Sequence, residues 1–315
     1  MNRDLVSEIQ AGLEHLRPRP LESLGEDSLM DRLDRKFLIP TCQVPLLLEE
    51  CRWAYKVLEV EGQRLHPYFT TYLDTPDLHF YFQHHGGRAR RQKVRIREYG
   101  ATSHRFLEVK ARTPNGRTLK TRRPLDPCHG VGLVEHANDG RLKRPGPGNG
   151  RFSPCAPGMR PPVLPLLLDH RRTSWEPFGL RPLEVFSNPT LPLRLQEMVD
   201  VGYRRLTLLG RAGVEKVTVD LDLSFHPMGN GGGGSGVEGS ASGKPDGVFF
   251  PGTAVMEVKQ ERRGPSPVLE LMRSLGHRSL SFSKYCMAVA RLHPDVKQNV
   301  FKSGLRRLGK VEAEA

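Results

Sequence analysis

Basic side chains recur at every second position of this sequence, the spacing that gathers them on one side of an extended chain. Lys93-Val-Arg-Ile-Arg-Glu-Tyr sets Lys93, Arg95, Arg97 and Tyr99 against Val94 and Ile96. Arg32, Asp34 and Lys36 alternate likewise with Leu33, Arg35 and Phe37, and Glu108 and Lys110 oppose Leu107 and Val109. Three more sets are Tyr203, Arg205 and Thr207; Lys216, Thr218, Asp220 and Asp222; and Glu257 with Lys259. Faces that merely meet water mix Lys, Glu, Ser and Gln. These are rich in Arg beside aromatics, with a few regularly placed carboxylates. Planar guanidinium forks and ammonium point charges suit phosphate oxygens. Turned inward, such faces repel one another unless an anion lies between them. The glutamates are too few to neutralise the cations and suit a divalent metal that bridges phosphates.

The elements that must position these residues are mostly strands, with signals at residues 32–39, 68–74, 92–99, 104–111, 181–186, 200–209, 214–223 and 253–260. Helical patterns fall at 43–58 (Thr41 as N-cap, Pro45 in the first turn), 190–199, 266–275 and from Phe282 onward. So many strands with few helices between them exclude a doubly wound parallel sheet. The expected fold is α+β, a closed antiparallel β-barrel with a charged interior and helices packed outside. Residues 1–29 read as a peripheral helix and Pro-rich linker, 30–292 as the barrel domain and 293–315 as a basic tail. The Gly/Pro-rich stretch 129–165 and the stretch 227–252, which holds a glycine run, read as flexible insertions.

The 315 residues carry 48 Lys+Arg against 35 Asp+Glu, and the net charge of +13 favours an anionic partner. The 37% of apolar residues suffices for a core, while 26 Pro and 32 Gly predict long irregular segments. Five cysteines without a CxxC pair exclude a zinc ribbon and a disulfide framework. No apolar run approaches the ~18 residues of a membrane span, and acids stand where a signal core is apolar. The expected location is cytoplasmic, with a membrane partner left open and the oligomeric state undetermined. His84-His85 beside two glycines reads as a surface turn, and Gly231–Gly234 as linker, because no Lys-Ser/Thr follows. Arg122-Arg123 and the cations from Lys302 to Lys310 read as solvated charge, Asp74 as the start of a turn, Tyr285 and Met287 as core. Aromatics make up 7% and fall mostly on apolar faces, so no stacking platform for nucleic acid is visible and no nucleic-acid partner is expected.

Eight short elements come in a recognisable order over about residues 30–290. They are Arg32-x-Asp-x-Lys36-Phe, Thr71-Tyr-Leu-Asp-Thr75, Lys93 to Tyr99, Phe106-Leu-Glu-Val-Lys110, Tyr203-x-Arg205, Val217-Thr-Val-Asp220, Val255-Met-Glu-Val-Lys259 and Phe282-Ser-Lys-Tyr285. Together they resemble the catalytic domain of the vacuolar transporter chaperone (VTC) polyphosphate polymerases, of the triphosphate tunnel metalloenzyme superfamily that includes the CYTH enzymes. The resemblance implies a basic tunnel and a phosphotransferase that uses Mn²⁺ or Mg²⁺ to move the γ-phosphoryl group of ATP onto polyphosphate. Carried onto this chain, it implies catalytic phosphate contacts from Arg95, Arg97, Lys110, Arg205 and Lys284, with Lys216 joining them. Substrate contacts fall to Lys36, Tyr203 and Ser283, and the cationic faces add Arg32, Lys93 and Lys259. Glu257 is the implied metal carboxylate, with Glu108 second. Three positions depart from the family pattern: Lys216 stands for Arg, Asp34 for Glu, and Ser281 where a basic residue is common. A tunnel-type polyphosphate hydrolase and a non-catalytic module binding polyphosphate, nucleotide or RNA are the alternatives.

Overall fold

The computed structural model describes residues 2–23, 33–100, 102, 104–114, 118–125, 195–210, 215–228, 247–261 and 264–315. Arg32, the 129–165 stretch, the 181–186 strand signal and the glycine run Gly231–Gly234 lie outside these residues. The elements are α1 (Arg3–Glu14), β1 (Arg17–Pro20), β2 (Leu33–Pro40), α2 (Val44–Cys51), β3 (Tyr55–Glu59), β4 (His66–Asp74), α3 (His79–His85), β5 (Arg91–Tyr99) and β6 (His104–Arg112). They continue as β7 (Thr118–Leu125), β8 (Gln196–Gly210), β9 (Glu215–Pro227), β10 (Val248–Phe250), β11 (Thr253–Gln260), α4 (Pro267–Ser274), α5 (Lys284–Leu292) and α6 (Lys302–Ala313). None of these helices is long and apolar enough to cross a membrane.

The strands form one sheet whose main path runs β2-β11-β9-β8-β4-β5-β6-β7, antiparallel throughout, with β3 paired to the far end of β8 and β1 parallel to β3. Among the described residues the sheet does not close into the expected barrel: β2 and β7 end the path, and no ladder joins them. The sheet is nonetheless strongly curled. Lys110 on β6 lies in the electrostatic field of Glu257 and Lys259 on β11, and Lys93 on β5 in that of Lys36 on β2. β6 and β11 are five strands apart along the path, and a flat sheet at ~4.8 Å per strand would hold them ~24 Å from each other.

Strand alternation sorts the core. One face carries Phe37, Ile39, Leu206, Leu208, Val217, Val219, Met256 and Val258 and is covered by α1, α2 and α4. The first helix is therefore not peripheral, since Ile9, Leu13 and Leu16 are buried with Leu47 and Leu48 of α2. The helix expected over 43–58 stops at Cys51, because Tyr55 and Val57 alternate onto β8 as a strand. Thr41 is not its cap; the Thr41 hydroxyl donates to the Pro251 carbonyl at 3.2 Å. The helix expected at 190–199 is, from Gln196, the start of β8, whose Val199, Val201 and Tyr203 continue the period of two.

The opposite face is divided. At one end Leu38, Tyr72, Val199, Val201, Leu223, Phe225 and Val255 pack against Tyr285, Cys286 and Val289 of α5, with Leu308 and Val311 of α6. The segment expected as a solvated basic tail thus contributes core residues, and α5 fills part of the polar face rather than covering the outside. Tyr285 and Met287 are buried as expected. β9 reaches this arrangement through a bulge. Gly202 lies opposite Ser224 but Arg204 opposite Leu221, so β9 carries one extra residue, and Asp222 adopts φ 51. Before the bulge Asp220 faces the cations; after it Leu223 and Phe225 face α5.

Candidate functional site

The remaining part of that face is cationic and is organised by three carboxylates. Glu257 on β11 takes Lys36 of β2 at 2.8 Å and Lys259 at 3.0 Å. Asp220 on β9 accepts two hydrogen bonds from the Arg205 guanidinium, at 2.5 and 2.8 Å, and pairs with Lys284. Glu108 on β6, with a fully buried side chain, takes Arg95 at 2.6 Å, Lys120 at 3.1 Å, Arg97 at 3.6 Å and Arg122 at 3.9 Å. Burial alone would raise all three carboxyls, but these cations outweigh it: Glu257 and Glu108 are held well below the usual range and Asp220 at about 2. The three are ionised and engaged.

Lys93 and Lys110 have no such counter-ion. Neither forms a salt bridge or hydrogen bond with a described residue, and burial depresses both, reinforced by Arg95 and, at Lys110, by Lys259. Buried polar atoms without a hydrogen-bond partner among the described residues cluster on the same face: Arg97 Nε, with Thr70 Oγ1 on the neighbouring strand, and Thr218 Oγ1 beside Glu257. Uncompensated cations and unsatisfied polar atoms at one place are costly unless an anionic ligand engages them.

Lys284 enters from α5. Ser283 caps that helix, its hydroxyl oxygen accepting from the Cys286 N–H at 3.3 Å, and the Lys284 ammonium lies 4.7 Å from the centre of the Tyr203 ring. Register places Lys216 opposite Lys259 at the end of the same face. Arg95, Arg97, Lys110, Arg205, Lys284, Lys36, Lys93, Tyr203, Lys259, Glu257 and Glu108 thus converge from five strands and one helix.

Some site residues escaped the sequence reading. β7 carries Lys120 and Arg122 onto Glu108, so Arg122 is not free solvated charge. Their alternation was legible, but Pro124 and the turn residues before it obscured the strand. Aromatics extend this face beyond the Tyr99 and Tyr203 that alternation placed there: Tyr68 and Phe106 join them, and the four oppose one another or the arginines across β4, β5, β6 and β8. Asp74 starts a turn as expected and does more. Its oxygens accept from the N–H groups of Thr75, Phe80 and Tyr81 at 2.8–2.9 Å and from the Tyr285 hydroxyl. His84 and His85 close α3 rather than a surface turn. His84 bonds the Gln92 carbonyl at 3.1 Å, and burial, with Lys93 and Arg91, pushes its pKa to about 3.

Among the described residues no three His, Cys, Asp or Glu side chains converge on a metal position. Single carboxylates flanked by lysine and arginine do not hold a dication by themselves. They fit a hard cation that arrives with phosphate oxygens and completes its shell with them.

Residues 31–293 match the VTC domain family model. No relative is found among curated protein sequences. Among solved structures, a Hippeastrum protein assigned as an adenylyl cyclase, with a dominant triphosphatase activity, aligns at a TM-score of 0.40 and 14% identity, over 83% of this chain and 96% of that one. A Vibrio parahaemolyticus protein assigned as an adenylate cyclase aligns at 0.33 and 11% identity, over 84% and 88%. The PH1819 protein of Pyrococcus horikoshii aligns at 0.36 and 10%, over 82% and 96%. At these TM-scores the family model alone carries the assignment.

Proposed function

Because the chain belongs to the VTC domain family, we propose that its cationic face binds a triphosphate or polyphosphate chain and transfers the γ-phosphoryl group of ATP onto polyphosphate. The observation that carries this reading is the pair Lys93 and Lys110, half-buried cations without a described counter-ion, set among Arg95, Arg97 and Lys259. Phosphoryl transfer needs its charge neutralised and its donor and acceptor aligned, with little covalent work for the protein. Arg95, Arg97, Lys110 and Arg205 supply the neutralisation, and Lys284 steadies the terminal phosphate from the helix. Lys36, Lys216 and Lys259 line the continuation of the chain, sequence alternation alone adds Arg32 to this set, and Tyr203 and Ser283 offer hydroxyl hydrogens. An ionised phosphate acceptor needs no general base. A divalent cation entering with the substrate would be held by Glu257, with Glu108 second, and supply Lewis-acid polarisation of a phosphoryl oxygen.

A second reading, a polyphosphate-binding module without turnover, is favoured by one observation: both Glu257 oxygens are already taken by Lys36 and Lys259. Purified protein incubated with ATP and Mn²⁺ or Mg²⁺, with products resolved on a gel and released phosphate measured, separates the readings. Polyphosphate ladders support the polymerase. Phosphate release alone identifies a hydrolase, and calorimetric binding of tripolyphosphate with no turnover identifies the module. Glu257→Gln is expected to abolish turnover while leaving metal-free tripolyphosphate binding as tight or tighter, since it removes a negative charge from a cationic site.

A further inference from the structure

Tyr99, Tyr68 and Tyr203 lie opposite one another across β5, β4 and β8, and Phe106 lies opposite Arg97 on β6. Opposed residues project from the same side of a sheet, so these rings stand beside Arg97 and Arg205 on the cationic face. They form a continuous ladder. Tyr68 stacks on Tyr203 with ring centres 5.4 Å apart and planes 9° from parallel. Tyr99 meets Tyr68 at 5.0 Å and Phe106 edge-on at 5.7 Å. Guanidiniums line it: Arg205 lies 5.1 Å from the Tyr68 and Tyr203 ring centres, and Arg122 lies 3.5 Å from that of Phe106. Burial falls along the ladder, from Tyr203 at 1% exposure through half-buried Tyr68, Tyr99 and Phe106 to exposed Arg122 and His104.

A purely inorganic phosphate chain can use a tyrosine hydroxyl but has no use for the ring faces, and Phe106 offers its hydrated oxygens nothing. A nucleobase does, because every base has a π-face, and a planar guanidinium over a ring extends the stacking surface. We infer that the rim formed by Tyr99, Phe106 and Arg122 is a nucleoside subsite. The base of a nucleoside triphosphate stacks there while its phosphates run inward to Arg97, Arg205 and Lys110. Adjacent same-face positions on a strand are ~6.8 Å apart, so Tyr99 lies one such step from Arg97, within the span of a single nucleotide. The site takes one nucleoside rather than a strand, because the ladder leads into the curled face instead of along an open surface. This inference rests on the phosphate-binding reading above.

The test compares ATP with tripolyphosphate, which carries a like phosphate chain and no base, by calorimetry in the presence of Mg²⁺. Wild-type protein is expected to quench 2-aminopurine riboside triphosphate fluorescence on binding, as a stacked base does. Phe106→Leu and Tyr99→Leu are expected to weaken ATP about five- to tenfold while changing tripolyphosphate less than twofold. Equal loss of both ligands, or no loss of either, overturns the subsite and leaves the rings as supports for the arginines. A folded wild-type chain that binds neither ligand removes the phosphate-binding reading and the nucleoside subsite with it. Binding of tripolyphosphate with no base quenching removes the subsite alone.

Discussion

Asp220 on β9 stands directly opposite Arg205 on β8, and its two oxygens accept both ends of the guanidinium fork while Lys284 approaches from α5. Both carboxylate oxygens are therefore taken up in holding two cations in place. Asp220→Asn strands both and is expected to destabilise the free protein by about 3 kcal/mol. Tripolyphosphate, by engaging Arg205 and Lys284 instead, should raise the melting temperature of the variant more than that of wild type. The same pair sets an acid limit. The folded Asp220 titrates at about 2, below the ~3.9 of an unfolded chain, so its stabilisation is complete above that value. It is lost as pH falls towards the folded value, a window that urea melts across pH 5 to 2 would resolve.

Lys110 gives the opposite sign. Burial first, then Arg95 and Lys259, depresses the folded pKa well below the ordinary lysine value, so over the intervening range the unfolded chain binds more protons than the folded one. Stability of the free protein should then rise with pH through the alkaline range, towards the unfolded value of ~10.4. Bound tripolyphosphate, which favours the charged ammonium, should flatten that slope. Lys110→Met removes the strain and the ligand contact together. The expected result is a melting temperature higher by a few degrees, from a gain of ~1 kcal/mol, and tripolyphosphate affinity lower by at least tenfold. A variant no more stable than wild type would show that Lys110 is solvated despite its neighbours.

The cationic face was legible because a strand displays its chemistry at a fixed period of two. Lys93-x-Arg95-x-Arg97 and Glu257-x-Lys259 announce both a strand and its polar side. Elements whose positions depend on distant partners were not legible. Tyr55–Glu59 continues a helical pattern until β8 is present to pair with it, and Gln196–Gly210 begins in residues that read equally as helix. Alternation also fails at a bulge. Asp222 falls in step with Asp220 in the sequence, yet it pairs instead with Arg204, outside the Asp220 cluster. No local signal said that α5 fills one end of the polar face; that followed from Tyr72, Phe225 and Val255 standing opposite it.

Asp74 and Tyr285 join β4 to α5 across the start of α3. Leu78, at the position that would cap α3, sits at φ 59 and offers no side-chain acceptor. Asp74 takes over by collecting the first free N–H groups of that helix, those of Phe80 and Tyr81. Asp74→Ala leaves these donors and the Tyr285 hydroxyl buried and unpaired, and should cost about 3 kcal/mol in denaturant melts. Tyr285→Phe removes one donor from an acceptor that keeps its backbone partners, and should cost ~1 kcal/mol. Comparable losses from both would mean that the ring of Tyr285, stacked on Tyr72 at 5.1 Å, needs its hydroxyl for packing.

The bulge at Asp222 decides which side chains of β9 face the site. With φ at 51 the residue holds a left-handed conformation, and its carboxylate pairs with Arg204. Asn tolerates that conformation and can still accept from the guanidinium, so Asp222→Asn should change stability by less than ~1 kcal/mol. A β-branched side chain tolerates it poorly, and Asp222→Val should cost about 2 kcal/mol, with the unpaired Arg204 adding to the loss. Deleting Asp222 is the sharper test, because side chains alternate strictly along a strand. Without the extra residue Leu223 alone stands opposite Tyr203, so Leu223 and Phe225 still face α5 on the side of Asp220, in a regular ladder. The deletion should keep cooperative unfolding monitored by circular dichroism, at a cost of about 2 kcal/mol from the unpaired Arg204. A deletion variant that no longer melts cooperatively would show that the bulge itself holds β9 against β8.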